Sequence, residues 1–506
     1  MKSSLWSVVV AGLCVCTTTG QELSPADVQK TLVKVVRFAD EHVSRNGGYV
    51  YLTSADLKLR EAEGIPGPDT VWVQPPGTPS VGAALLRAYQ ASGDETIRKA
   101  AYASALALTR GQLHSGGWNY QIQFDPENRS KWSYCRDLQG KLNPDPTPAA
   151  VRESTNGWFD WKTRKVKGNI TTYDDDVTQS AIRLLIQWDE ELKFQDPEIH
   201  DAAMYSLNSL IGAQYPAGGW SSSWDRFPAR SPSEEKFPIK KASLPETVSQ
   251  QWPKDFTGCY VLNDSQMTNC IDTLLLAWRT YKDEKYLIAA KKAGDFLILA
   301  QLPEPQASWA QQYDANMQPC WCRAFEPPAV TGGESQKIIL SLISLFEVTK
   351  DKKYLAPIPA ALAWFKKSEL PGGRLARFYE VKTNRPIYFE RGPGGKGHIW
   401  TYSDKNIADG YGYIVSSNRE SLEKKYQDAL DGKLTGKPAV KKPGGGPSAA
   451  NVQKVIAALD DRGAWLEKGT IRDAEGKKVD PAGGIIRSET FIKNLDVLSA
   501  FVRARK

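Results

Sequence analysis

Through four blocks of the chain, apolar residues recur at i, i+3, i+4 and i+7, the period of an amphipathic helix rather than of a strand. The clearest two are LLRAYQASGDETIRKAAYASALALTRGQLHSGGW, ending at Trp118, and LLIQWDEELKFQDPEIHDAAMYSLNSLIGAQYPAGGW, ending at Trp220. Each reads as an apolar helix, a polar turn holding an Asp, a second apolar helix and a closing Gly-Gly-Trp. Two weaker copies follow, LLLAWRTYKDEKYLIAAKKAGDFLILAQ to Gln301 and LISLFEVTKDKKYLAPIPAALAWFKKSELPGG to Gly373. Asp94, Asp196, Asp283 and Asp351 hold the same place in these turns. Helical hairpins in tandem bury their apolar faces by stacking on their neighbours. A closed ring does this without exposed ends, whereas the long, uneven connections disfavour an open solenoid. The pattern predicts an all-α chain folded as an α/α toroid, with its Gly-, Pro- and Trp-rich connections gathered as long rim loops where function usually sits.

Strand-like alternation is scarce, and LARFYEVKTNRPIYF, Leu375–Phe389, predicts a small β hairpin crossing that rim. The Gly/Pro/Lys-rich stretch at 434–450 reads as a flexible loop, followed by helices over Asn451–Leu466 and Glu489–Arg505. Two closing helices are too few for a second core, so 21–506 is expected to be one domain. Residues 1–20 read as an export signal: Lys2, an apolar run Leu5–Cys16 too short to span a bilayer, then Thr18-Thr19-Gly20. The expectation is a secreted or periplasmic monomer with no membrane span.

Composition narrows the chemistry. With 41% hydrophobic and 24% charged residues the chain is ordinary for a globular protein, but 16 Trp, 40 Gly and 31 Pro point to long loops carrying aromatic surface. The net charge of +7 is dispersed apart from Lys437–Lys442, and the arginines are interleaved with acids, which argues against nucleic acid. Beyond the export segment stand Cys135, Cys259, Cys270, Cys320 and Cys322, an odd set; Cys320-Trp-Cys322 has no matching pair or nearby His for zinc. The histidines, His42, His114, His200 and His398, sit in no polar constellation, and there is no Gly-x-Ser-x-Gly, P-loop or Rossmann fingerprint. What remains are Asn263-Asp264, Asp314, Arg323, Glu326, Glu334, Arg377, Arg385 and Arg391. Hard oxygen donors beside arginines suit an anionic substrate bridged by a hard cation.

The stretches GGWSSSW, YVLNDSQMTNCIDTLLLAW, WAQQYD, CRAFEPPAVTGGES and ARFYEVKTNRPIYF, in that order, resemble the motif series of family 10 polysaccharide lyases, the pectate lyases with an α/α-toroid fold. The likeness runs from Thr171 to Phe389 and extends to the last helix, SETFIKNLDVL. It implies cleavage of polygalacturonate or a related polyuronate by β-elimination, with Ca2+ as cofactor and an acidic polysaccharide as partner. In that family an Asn-Asp-Asp-Ala-Met stretch, a Trp-x-Gln-Gln-His-Asp stretch and a Thr-Asn-Arg-Pro stretch converge on calcium and the uronate ring. Here Ser265 replaces the second acid of Asn263-Asp264-Ser265-Gln266-Met267, Tyr313 replaces the His while Asp314 is kept, and Thr383-Asn384-Arg385-Pro386 is intact. The resemblance thus implies Asn263, Asp264 and Asp314 as metal ligands and Arg385 as the base. Arg323, Arg377, Arg391 and Trp220 are read as substrate contacts, with Glu326 and Glu334 holding arginines in place. Losing one carboxylate at Ser265 implies weaker calcium binding or a shifted substrate.

The chemistry accounts for the residue types. The proton at C5 of a uronate is acidic only when its carboxylate is neutralised, and a base without negative charge suits a polyanion. An arginine base, with a pKa above ~12, implies an alkaline optimum. Plainer roles stand beside each assignment: Asp264 as a helix N-cap, Asp314 as a turn residue, Arg385 paired with Glu380, Gly-Gly-Trp as a hairpin closure. Asp174–Asp176 in TYDDDVTQSA reads as cap plus rim charge, with substrate contact as the alternative. Two other functions fit parts of the pattern. A non-catalytic polysaccharide-binding relative accounts for Ser265, and a terpene-cyclase-like toroid accounts for the acidic run but leaves the arginine blocks without a role.

Overall fold

The computed structural model describes residues 23–143, 168–225, 234–254, 260–434 and 446–505. The expected export segment 1–20, Cys259 and most of the 434–450 loop lie outside the described residues. In chain order the helices are α1 (Pro25–Phe38), α2 (Thr78–Ser92), α3 (Glu95–Gly111), the single turn α4 (Pro126–Arg129), α5 (Val177–Glu191), α6 (Pro197–Gly212), α7 (Gln266–Tyr281), α8 (Glu284–Ala300), α9 (Glu334–Thr349), α10 (Ile358–Ser368), α11 (Arg419–Leu430), α12 (Ala449–Ala457) and α13 (Ser488–Arg503).

The turn acids explain why each hairpin folds back where it does. The side chains of Asp94, Asp196, Asp283 and Asp351 accept the backbone amides of Thr96, Glu198, Lys285 and Lys353 at 2.8, 3.0, 3.0 and 3.0 Å. An N-cap of this kind satisfies one orphan amide and restarts the helix, a contribution of ~1 kcal/mol each. The hairpins then stack as an α/α toroid. Helices α2, α5, α7, α9 and α11 touch in succession, while α13 packs on both α2 and α1 and brings the end of the chain back to its beginning. A sheet of strands 466–467, 485–487, 52–54 and 60–61 reinforces that closure, with Leu52 opposite Arg487.

Two long helices, α1 and α11, lie outside both the four sequence blocks and the two closing helices expected from the sequence. α1 buries Val28, Leu32, Val35 and Val36 behind an N-cap at Ser24, and α11 packs against α9 and α10. The helix expected over Asn451–Leu466 stops at Ala457, because the Asp460 carboxylate takes the amides of Arg462, Gly463 and Ala464 and turns the chain.

Gly-Gly-Trp closes the hairpins. Trp118 and Trp220 are fully buried, and each indole N–H donates at 2.8 Å to a carbonyl at the end of the preceding helix, Leu108 and Leu210. Trp309 and Trp465 repeat the bond to Leu297 and Val455. Burying ~200 Å² of indole is worth ~5 kcal/mol as an upper figure. Gly116 and Gly218 have φ of 105° and 107°, and a Cβ there would strike Ser209 and the Lys292 carbonyl.

The rim carries short antiparallel pairs that lead into the inner helices: Thr171–Thr172 with Ser223–Trp224, and Tyr260–Val261 with Gln312–Tyr313. The expected hairpin runs from Phe378 rather than Leu375, with Phe378 opposite Ile387, inside a sheet ordered 398–401, 386–391, 378–380, 329–331. Arg374–Ala376 pairs instead with Ile414–Ser416.

Candidate active site

Two rim segments enter inner helices with the same backbone. Asp175 and Asp176 precede α5 with φ of 49° and 60°, and Asp264 and Ser265 precede α7 with φ of 46° and 65°. Consecutive left-handed residues without glycine are rare and strained. The two segments pack on each other. Asp174, Asp175 and Asp264, all half-buried, thereby offer carboxylate oxygens that lie within 4.8 Å of one another.

Assembling three carboxylates out of water is unfavourable, and their proton affinities reflect it. Burial, then the charges of Asp175 and Asp264, pushes Asp174 up to about 8, against the pull of Arg323. Burial also pushes Asp264 up to about 6, opposed chiefly by Arg377. Asp175 is raised by burial and by Glu63, and the Tyr120 hydroxyl, donating to it at 3.1 Å, works the other way.

Two arginines flank the acids, each fixed by a buried glutamate. Arg323 grips Glu326 through Nε at 2.7 Å and Nη2 at 2.5 Å, within a turn closed by the Glu326 amide on the Arg323 carbonyl. Burial alone would raise Glu326, but these bonds and the arginine charge hold it below its usual value. Arg377 donates from Nη2 to Glu334 at 2.6 Å, to Asp264 at 3.2 Å and to Asn263 at 3.2 Å, and lies over the Tyr411 ring at 4.4 Å. Gln311 ties the group together, donating to Asn263, to Glu334 at 3.3 Å and to the Tyr411 oxygen at 3.0 Å. Tyr411 in turn donates to Glu326 at 3.1 Å. In both arginines carboxylate bonding outweighs burial and favours the charged form.

The other sequence candidates lie elsewhere. Asp314 is not a member of the acid group; its carboxylate closes its own turn, accepting the amides of Asn316 at 2.8 Å and Gln318 at 3.0 Å. Arg385 is exposed and stacks on Tyr402 at 3.5 Å, while Glu380 takes Tyr402 and Thr383 instead of Arg385. Arg391 pairs with Asp409 at 3.1 Å on the exposed end of its strand. Trp220 is a correction: at 0% exposure it cannot stack on a sugar, because its ring fills the hairpin closure.

Residues 304–375 match the family model of pectic acid lyase. That stretch holds Asp314, Arg323, Glu326 and Glu334, and ends before Arg377. No curated protein matches the chain. Among solved structures, a variant of the family 10 polysaccharide lyase from Cellvibrio cellulosa in complex with trigalacturonic acid is similar at 17% identity, covering 70% of this chain and 98% of its own, with a TM-score of 0.40. Cellobiose 2-epimerase from Bacillus thermoamylovorans B4167 is similar at 13% identity over 95% of this chain and 99% of its own, with a TM-score of 0.42. The GH76 α-mannanase BT2949 of Bacteroides thetaiotaomicron is similar at 13% identity over 96% and 97%, with a TM-score of 0.38.

Asp174 and Asp175 enter the site from a motif first read as cap and rim charge. The signal was present: Tyr173-Asp174-Asp175-Asp176 and Leu262-Asn263-Asp264-Ser265 stand at the same offset before corresponding helices. The alignment also bears on Ser265. Its counterpart Asp176 is bound to Arg183 and is not one of the three converging acids. Tyr120, Gln311 and Tyr411 carried no sequence signal for their roles.

Proposed function

We propose that the protein is a lyase acting on polygalacturonate or a related polyuronate, exported as residues 1–20 suggest, and working by cation-assisted β-elimination. The observation that carries this reading is the convergence of Asp174, Asp175 and Asp264 beside Arg323 and Arg377. The pectic acid lyase match over 304–375 supports it.

The donor set fits calcium. All three groups are oxygen donors, the preference of a hard cation, and the raised proton affinity of Asp174 and Asp264 is the strain that a counter-charge would relieve. Asp174, Asp175 and Asp264 would hold the ion, with Asp175 offering a carboxylate that Ser265 does not. Bound there, calcium would neutralise the uronate carboxylate and acidify the proton at C5. Arg377, fixed by Glu334, orients the remaining substrate charge.

Elimination transfers the C5 proton to a base, breaks the C4–O bond and leaves a C4=C5 double bond, the departing oxygen taking up a proton. We assign the base role to Arg323 rather than Arg385, the neutral guanidine taking the C5 proton to become guanidinium, because Arg323 is half-exposed beside Asp174 and Asp175 whereas Arg385 stacks on Tyr402. Glu326 favours the charged form of Arg323, so the rate should still be climbing at alkaline pH. The test is the ultraviolet absorbance of the unsaturated uronate product, with and without a chelator. Product that forms equally well in the chelator would remove the cation from the mechanism; retained polymer binding without product would make the chain a binding relative of the lyases.

A further inference from the structure

The outer face of α1 carries a groove of about 490 Å³ whose lining includes none of the three converging acids. Lys30, Lys34 and Arg37 follow one another at helical spacing along one side, and Arg462 closes it from the turn after α12. Lys30 is paired with Asp27 at 3.4 Å and Arg462 with Asp460 at 2.8 Å. Lys34 and Arg37 are exposed and have no carboxylate partner among the described residues. One acid, Glu41, lines the groove, and it lies 4.0 Å from His42.

The walls are held in place. Arg462 donates to the Ala55 carbonyl at 2.8 Å and sits over Phe38 at 5.4 Å, so a single guanidinium joins helix, turn and loop. Leu57 has a φ of 67°, a conformation that leucine seldom adopts, and contributes its side chain to the lining. Phe38 and Leu57 make an apolar floor beside the cations. That combination complements a chain that presents carboxylates along its edges and C–H surface on its faces.

We propose that this groove is an accessory binding site for an acidic polysaccharide, lined by none of the residues of the acid group. The choice of polymer rests on the lyase reading; the charge complementarity does not. A membrane surface or a non-specific polyanion is a different occupant, and the test separates them.

The experiment uses the full chain and its Lys34→Glu/Arg37→Glu variant, with folding checked by circular dichroism. Both are run through gels containing polygalacturonate, with a chelator present so that no turnover occurs. Reversing two exposed charges should weaken retention by about tenfold, and high salt should erase the difference. The rate on trigalacturonate should not change, whereas KM for the polymer should rise. Equal retention of the two proteins would overturn the proposal. So would an equal loss of binding to polyphosphate or to phosphatidylserine vesicles, which would assign the groove to general charge or to lipid. If no unsaturated product forms from any substrate, the retention difference still decides this site, so the two readings fail separately.

Discussion

Replacing Asp174 with asparagine should change how many protons leave when calcium binds, and the number follows from the site. In the metal-free protein Asp174 is pushed up to about 8 and Asp264 to about 6. At pH 7 Asp174 is then ~0.9 protonated and Asp264 ~0.1, so binding to both carboxylates expels about one proton. Asp175, also raised, adds to that count. Between pH 6 and pH 8 the same two groups make the apparent calcium affinity rise ~100-fold, ~2.7 kcal/mol. In Asp174→Asn the main proton source is gone, so release should drop well below one and the pH slope should flatten, at a weaker affinity because a ligand charge is lost. Titration calorimetry in buffers of different protonation enthalpy reads the proton count directly. A wild-type protein that binds calcium at pH 7 without releasing protons, or a variant that releases as many, would refute the reasoning. Stability without metal runs with the opposite sign. A carboxyl raised in the folded state favours folding most below its unfolded value of ~3.9, and that contribution is lost as pH rises through about 8. The chelated protein should therefore melt lower at pH 8 than at pH 6, with calcium reversing the trend.

Arg323→Lys should lower kcat on polygalacturonate by ~10²-fold or more, whereas Arg385→Lys should leave kcat within a few-fold; steady-state rates from pH 7 to 10.5 compare them, and the reverse ranking would return the base role to Arg385. Asp314→Ala should leave calcium affinity unchanged while Asp175→Asn weakens it ~10-fold or more, as measured by calorimetry. Trp220→Ala should destabilise the fold by ~4 kcal/mol in urea unfolding, from the cavity and the lost bond to Leu210, and a substitution with no stability effect but weaker sugar binding would restore Trp220 to the substrate surface.

The helical period, the turn acids and Gly-Gly-Trp are local signals, and the sequence by itself determined what they report: hairpins, capped at Asp94, Asp196, Asp283 and Asp351, stacked into a ring. Their physics acts within a few residues, so it can be read without a fold. The aim of a side chain cannot. Asp314 and Asp175 are each an acid beside a rim turn, and only the packing of the segment before α5 on the segment before α7 decides which one faces Asp264. Likewise Arg323, Arg377 and Arg385 are equivalent as letters in a rim loop; tertiary structure separated them by placing buried Glu326 and Glu334 against the first two and an exposed Tyr402 ring against the third. Charge in a low-dielectric site depends on distances between segments far apart in the chain, which hydrophobic periodicity leaves open.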